Sequence, residues 1–298
     1  MKKMLINAMA LILITGSVVA QDSGSSKKFK AGIKFAMQPT WFTSGNANTI
    51  KQKAGFGYGF GLVTDFRLSD VIYFSTGIGG DIESATVKYR DDGFALTPAS
   101  SSTLFVSSYM MDASGNFVEA ENNKDVSEYT KVGNTTYQLK SRKVKTTHIT
   151  IPITLKMLTN EYSGIKYFGQ FGGELGIRTA AFANDEYSYS ETVTTSTSTP
   201  YSVVTGGSAT KISIQKDCAL VPLRLGMNIG GGLEYRLGGS TAIMFSINYF
   251  KSFTNLMRGD SKLIYTGTTV DANNKITFTH LQQDLKMSAV RINVGLMF

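Results

Sequence analysis

Apolar and polar residues alternate with a period of two along most of the chain, as they do in a β-strand with one face in an apolar medium and the other in a polar one. Eight segments carry the pattern. In the first, Phe29, Ala31, Ile33, Phe35 and Met37 share a face. In the second, Phe56, Tyr58, Phe60 and Leu62 alternate with Gly55, Gly57, Gly59 and Gly61. The third opposes Ile72, Phe74, Ile78 and Ile82 to Tyr73, Ser75, Asp81 and Glu83, and the fourth opposes Ile149, Ile151, Ile153 and Leu155 to His148, Thr150, Thr154 and Lys156. Glu174 and Arg178 lie on the polar side of the fifth, and Arg224, Asn228 and Glu234 on that of the sixth. Asn248 takes the polar side of the seventh segment, and Arg291 and Asn293 that of the eighth.

The connections alternate in length. Leu68 to Asp70, Thr159 to Gly164 and Leu237 to Ser240 are short, whereas Thr43 to Lys53, Arg90 to Lys140, Asn184 to Lys211 and Leu256 to Gln283 are long. Short periplasmic turns and long extracellular loops are the rhythm of an up-and-down membrane barrel. A soluble sandwich also alternates, and the aromatic residues separate the two. Phe29, Phe66, Tyr167, Tyr235 and Phe298 gather at the short-turn end of the apolar face, and Trp41, Phe56, Tyr58, Tyr249 and Phe253 toward the other, as two girdles around an aliphatic band. The expected fold is therefore all-β, an up-and-down antiparallel transmembrane β-barrel of about eight strands with long extracellular loops, built from residues 29–298.

The N-terminus sets the compartment. Lys2 and Lys3 precede an apolar run from Met4 to Thr15, and Val18-Val19-Ala20 offers small residues at the two positions a signal peptidase reads. Residues 1–20 read as a cleavable signal peptide and 21–28 as a short N-terminal tail. The apolar run is shorter than the roughly 20 residues a spanning helix needs. The chain carries a formal charge of +8, but its lysines and arginines are scattered, and export argues against a nucleic-acid partner. The single Cys218 can form no internal disulfide. The expected location is the Gram-negative outer membrane, reached by the signal peptide. The aromatic Phe298 at the chain end resembles the terminal signal by which such barrels are recognised for insertion.

Candidate chemistry is sparse. Gly55 to Gly61 lacks the spacing and the following helix of a dinucleotide loop. In a narrow barrel, inward glycines instead make room for larger neighbours. His148 and His280, the only histidines, have no second ligand at metal-binding spacing. Asp112-Ala-Ser-Gly-Asn116 fits a hairpin tip better than a calcium loop. No catalytic residue, cofactor or metal site is expected, with a rim hydrolase or acyltransferase using His148 as the minor enzymatic alternative. The inward set is more informative. Lys34, Asp81, Glu174, Arg224 and Arg291 fall near mid-height, with Arg178 somewhat higher. Eight strands enclose side chains rather than a wide channel, and buried charges of mixed sign must pair. These six residues read as a lumen polar network that plugs the barrel, Glu83 adding negative charge; a gated polar pathway is the alternative.

The strands also resemble a known family. The run His148-Ile-Thr-Ile-Pro-Ile-Thr-Leu-Lys156 is similar to the Ile-Pro-Leu strand of PorT-like outer-membrane barrels, and Tyr167 to Gly176 looks like the strand that follows. Leu225 to Tyr235 resembles the family's glycine-rich sixth strand, and Val290 to Phe298 its last. Asn248-Tyr-Phe-Lys-Ser-Phe-Thr-Asn-Leu256 echoes an Arg-Tyr-x-x-Gly-Leu-Thr-Asn strand, with the Arg and Gly replaced. The resemblance covers the mature chain and implies an outer-membrane barrel domain; the family's namesake is associated with a protein-secretion and gliding apparatus.

Two function classes follow besides the enzyme: a structural or interaction component of the envelope working through its long loops, and a narrow channel or small-ligand binder. The expected partners are outer-membrane lipid, the barrel-assembly machinery during biogenesis, and an envelope or extracellular protein. On the leader reading, the mature protein begins at Gln21 and fractionates with outer membranes. Mass spectrometry that finds Met1 intact on the membrane-purified chain would overturn it.

Overall fold

The computed structural model describes residues 28–44, 49–89, 107–131, 134–193, 201–214, 220–258 and 261–298. The expected signal peptide and nearly all of the tail lie outside the described residues, as does Cys218. Eight strands form the barrel: β1 (Phe29–Ser44), β2 (Gly55–Arg67), β3 (Ile72–Tyr89), β4 (Thr135–Leu158), β5 (Ile165–Val193), β6 (Leu223–Gly238), β7 (Thr241–Ser252) and β8 (Leu285–Met297). Each pairs antiparallel with the next, and β8 pairs back onto β1, so the ladder closes. Closure satisfies every strand edge internally, the condition for a sheet to stand in hydrocarbon.

The alternation places side chains as its period requires. One hydrogen-bonded row carries Phe60, Phe35, Val294, Phe245, Leu233 and Tyr167 around six strands on the outer surface. Phe60 is 59% exposed and Ile153 53%. A water-soluble protein seldom leaves such a continuous apolar surface open; a bilayer covers it. Both aromatic groups face outward: Phe29 packs at a tilt against Phe66, centroids 5.2 Å apart, near the short turns, and Trp41 meets Tyr249 at 6.3 Å toward the loops. Among the described residues no helix is long and apolar enough to cross a membrane, a statement that does not touch strands.

The loop end departs from the sequence reading in a consistent direction: segments read as loops are strand. About 9–11 tilted residues cross a bilayer, yet β4 has 24 and β5 has 29. β4 begins at Thr135, inside the stretch read as a loop, and β5 runs on to Val193, where Tyr201–Ser213 folds back along it as a hairpin. Thr49–Lys53 pairs with β3. Ser108–Met111 pairs with β4, and the hairpin of Tyr265–Val270 and Lys275–His280 joins it through Tyr265 and Ser108. Lys124–Asp125 and a one-turn helix α1 (Val126–Tyr129) complete this head. Its core gathers Met110, Ala120, Tyr265, Ile276 and Phe278. The sixth strand starts at Leu223, and the preceding Val221 N–H donates to the Leu256 carbonyl instead of to the ladder.

The chain end is tied down. Phe298 N–H donates to Ala31 O at 2.8 Å, and Ala31 N–H donates back to Phe298 O at 3.1 Å. Deleting Phe298 removes both bonds and one residue of the turn-end girdle. The expected outcome is normal export with reduced insertion; unchanged outer-membrane levels of the truncated protein would contradict it.

Candidate functional site

The site is the lumen, and its middle layer is ionic. Arg291 on β8 donates through Nη2 to Glu174 Oε1 at 3.0 Å and to Asp81 Oδ2 at 3.2 Å, through Nη1 to Glu174 Oε2, and through Nε to Gln38 Oε1 at 2.9 Å. Arg224 on β6 donates to Glu174 Oε1 at 2.9 Å and to Glu83 Oε2. The Phe250 ring lies against both guanidinium groups, its centroid 4.6 Å from Arg224 and 4.4 Å from Arg291. Glycine makes this crowding possible. A Cβ on Gly59 would collide with the Asp81 carboxylate, and one on Gly226 with the Phe250 ring.

Two guanidinium groups here face three carboxylates. Lys34 stands on the turn side of this layer, without an ion pair within 4 Å among the described residues. It lines two cavities of about 30 and 20 Å³, walled by Ser75, Thr154, Asn228, Ser246, Asn248 and Asn293 on one side and by Asp81, Glu174 and Arg291 on the other. Each has room for one or two waters, enough to relay Lys34 to the carboxylates and too little for a solute.

Of the six residues read as a lumen network, the structure brings Asp81, Glu174, Arg224 and Arg291 into contact and sets Lys34 beside them. Arg178 does not join. The register of β4 and β5 slips between Thr147 and His148, which pair with Ala180 and Arg178, so Thr179 is an extra residue. Such a bulge re-aims the side chain. Arg178 turns to the loop before β6 and donates to the Val221 carbonyl at 2.7 Å and that of Leu220 at 3.0 Å. His148, which the minor enzymatic alternative would put at the rim, lies inside the lumen, 5% exposed, with Nδ1 3.5 Å from Glu83 Oε2.

Two further ionic groups flank the middle layer, one built from residues that the alternation turns inward and one that includes Asp185 from a stretch read as a loop. Near the turns, Lys156 donates to Asp65 at 2.8 Å and to Glu234, whose other oxygen takes Lys30 at 3.1 Å. Lys156 also sits 4.3 Å from the Phe168 ring centroid. At the loop end, Arg142 forks onto Asp185 at 2.8 and 2.6 Å beside Tyr109. Between this pair and the middle layer the lumen is apolar, filled by Phe42, Val87, Val144, Ala183, Leu285 and Met287.

In the head, Asp112 caps a hairpin, accepting the N–H of Ser114 and of Asn116 at 2.9 Å. The Asn116 backbone bond, more than its side-chain amide, holds the Asp112 carboxyl below its ordinary range. His280 contacts the Ala120 carbonyl at 2.6 Å. No group of three metal-ligating side chains occurs among the described residues.

Comparison with known proteins returns outer-membrane barrels among solved structures. Ail, the attachment invasion locus protein of Yersinia pestis, is 12% identical over 91% of this chain and all of its own, with a TM-score of 0.30. OprG of Pseudomonas aeruginosa is 9% identical over 91% and 95%, with a TM-score of 0.35. The outer membrane protease OmpT of Escherichia coli is 9% identical over 93% and 99%, with a TM-score of 0.29. At these values the likeness adds nothing to the strand ladder. No family model and no curated protein matches.

The middle layer makes a quantitative prediction. Removing one partner of a buried ion network leaves the others uncompensated and costs about 3–5 kcal/mol. Glu121 in the head makes two half-exposed pairs, with Lys262 at 3.5 Å and Lys124 at 3.6 Å, and such pairs contribute about 0–1 kcal/mol. Glu174→Ala therefore lowers the unfolding midpoint in detergent far more than Glu121→Ala. Equal small effects would show that Glu174 is solvated.

Proposed function

We propose that this chain is an integral outer-membrane protein of the structural or interaction class, neither a channel nor an enzyme, which uses the barrel to hold its folded head outside the cell. The observation that carries the reading is the filled lumen. The Lys156 group, the Arg291 layer, the Phe42 core and the Arg142–Asp185 pair occupy successive heights among the described residues, and the two cavities beside Lys34 are water-sized. A pathway of mixed charge behind an apolar constriction favours no ion. The head has its own core and strand pairings, so it offers a partner a preformed surface.

His148 supports the non-enzymatic reading by its place, since a rim base needs solvent and substrate and this one faces Glu83 inside the lumen. By resemblance to PorT-like barrels, we extend the proposal to the partner: a component of an envelope secretion assembly. The chain also engages membrane lipid and, during biogenesis, the barrel-assembly machinery.

Conductance tests the reading. The mature protein refolded into a planar bilayer is expected to give no open-channel steps above the detergent control. Sustained unitary steps that disappear on its removal would overturn the closed-lumen reading in favour of a channel.

A further inference from the structure

The outer surface changes character abruptly on one flank. Along β4 the outward residues read Met157, Leu155, Ile153, Ile151 and Ile149 from the turn end, then Thr147, then Lys145 and Lys143. Strand pairing brings two more lysines to the same place. Lys53 and Lys143 both pair with Thr86 of β3, one from each side, and Lys88 follows Thr86 on the same face. At about 4.8 Å between strands and 3.4 Å per residue, the four ammonium groups stand within one patch about 10–15 Å across.

The patch has a defined height. Lys145 pairs with Ser84, whose hydroxyl donates to the Phe56 carbonyl at 2.8 Å, so the lowest lysine lies level with the loop-end aromatic girdle. The other three lie above it. All four are exposed, and none makes an ion pair among the described residues. Glu186, an exposed acid on the neighbouring stretch of β5, accepts the Ser141 hydroxyl at 2.7 Å. On the opposite flank the described residues place the exposed Lys251 near this height, while Lys286 pairs with Asp284 at 3.7 Å.

We infer that Lys53, Lys88, Lys143 and Lys145 bind the phosphate groups of a phosphorylated outer-leaflet lipid, an inference that rests on the outer-membrane reading above. Charge and height select this occupant. Unpaired cations beside an aromatic girdle meet the headgroup zone, where each basic side chain adds attraction to anionic lipid. Facing outward from the barrel wall, the patch also lies where a lipid with its chains along Ile149 and Ile153 would put its headgroup. Lysines suit such a target as mobile point charges that follow a phosphate.

The test uses full-length mature protein in a zwitterionic detergent, with bisphosphorylated lipid A or its dephosphorylated form as probe and retained lipid read by native mass spectrometry. The wild type should prefer the phosphorylated form by at least about tenfold. The quadruple variant K53Q/K88Q/K143Q/K145Q should lose that preference, and K124Q/K131Q/K262Q/K275Q, which removes the same charge from the head, should keep it. No preference in the wild type, a preserved one in the patch variant, or equal loss in both variants would overturn the inference. Displacement of the lipid by inorganic phosphate would mark a free-anion site and overturn it equally. Fractionation of the same wild-type protein separates the two readings. Absence from the outer membrane sinks the location, whereas presence there without phosphate preference sinks the patch alone.

Discussion

Arg291 sits inside a membrane-spanning wall, and a guanidinium cannot escape burial by losing its proton. It has to be met by carboxylates, and the ones that meet it come from distant strands: Glu174 from β5 and Asp81 from β3. Arg224 of β6 shares Glu174 and binds Glu83, so four of the eight strands are pinned at one height. A slip of one residue in any of these strands would turn its charged side chain into lipid and its apolar ones into the lumen. The ionic layer and the apolar belt therefore specify the same register from opposite faces. Glycine is the corollary. A layer holding two guanidinium groups and a phenylalanine ring fits in an eight-stranded barrel because Gly59 and Gly226 leave room for their neighbours.

Filling the lumen moves any function to the surfaces. The polar cavities beside Lys34 take water, and the apolar core above the ionic layer blocks the route to the loop end. Outside, the strands are uneven in length. β7 ends at Ser252 after 12 residues, whereas β5 continues for 29. The head grows from the tall side, where Ser108–Met111 and Tyr201–Ser213 extend the sheet.

The membrane part of this architecture was legible because one periodicity governs it. Wherever one face meets lipid and the other the lumen, a period of two assigns every side chain, and Asp81, Glu174, Arg224 and Arg291 were placed by parity alone. Parity fails at a bulge. The extra residue at Thr179 leaves no mark in composition, so Arg178 was assigned to the network while its side chain caps the carbonyls of Leu220 and Val221. It fails again above the membrane, where both sheet faces can be covered by protein or water. Tyr137, Tyr187 and Tyr189 pack against one another there in edge-on and tilted pairs, with centroids 4.7 to 6.2 Å apart, in a stretch whose serines, threonines and charges read as a loop. The Lys156 group was legible residue by residue. What the sequence withheld was that Asp65, Lys156 and Glu234 come from three different strands to one point.

The tall side and the basic flank share β4, and mechanics connects them. β5 has 29 residues, and since about 11 cross the bilayer, about 18 remain, roughly 60 Å of strand standing on one side of a narrow barrel. A load on such a head tilts the barrel unless something at its base resists. Aromatic girdles set depth but resist rotation about an in-plane axis only weakly, because the barrel is small and the belt uniform. Lysines on the loop-end stretches of β3 and β4 supply the missing asymmetry. Cations held to headgroups directly under the tall strands fix which side of the barrel lies deeper, and so the direction in which the head leans. On this argument the lipid contact is part of the presentation of the head, coupled to it through β4, which carries Lys143, Lys145 and the pairing with Ser108–Met111.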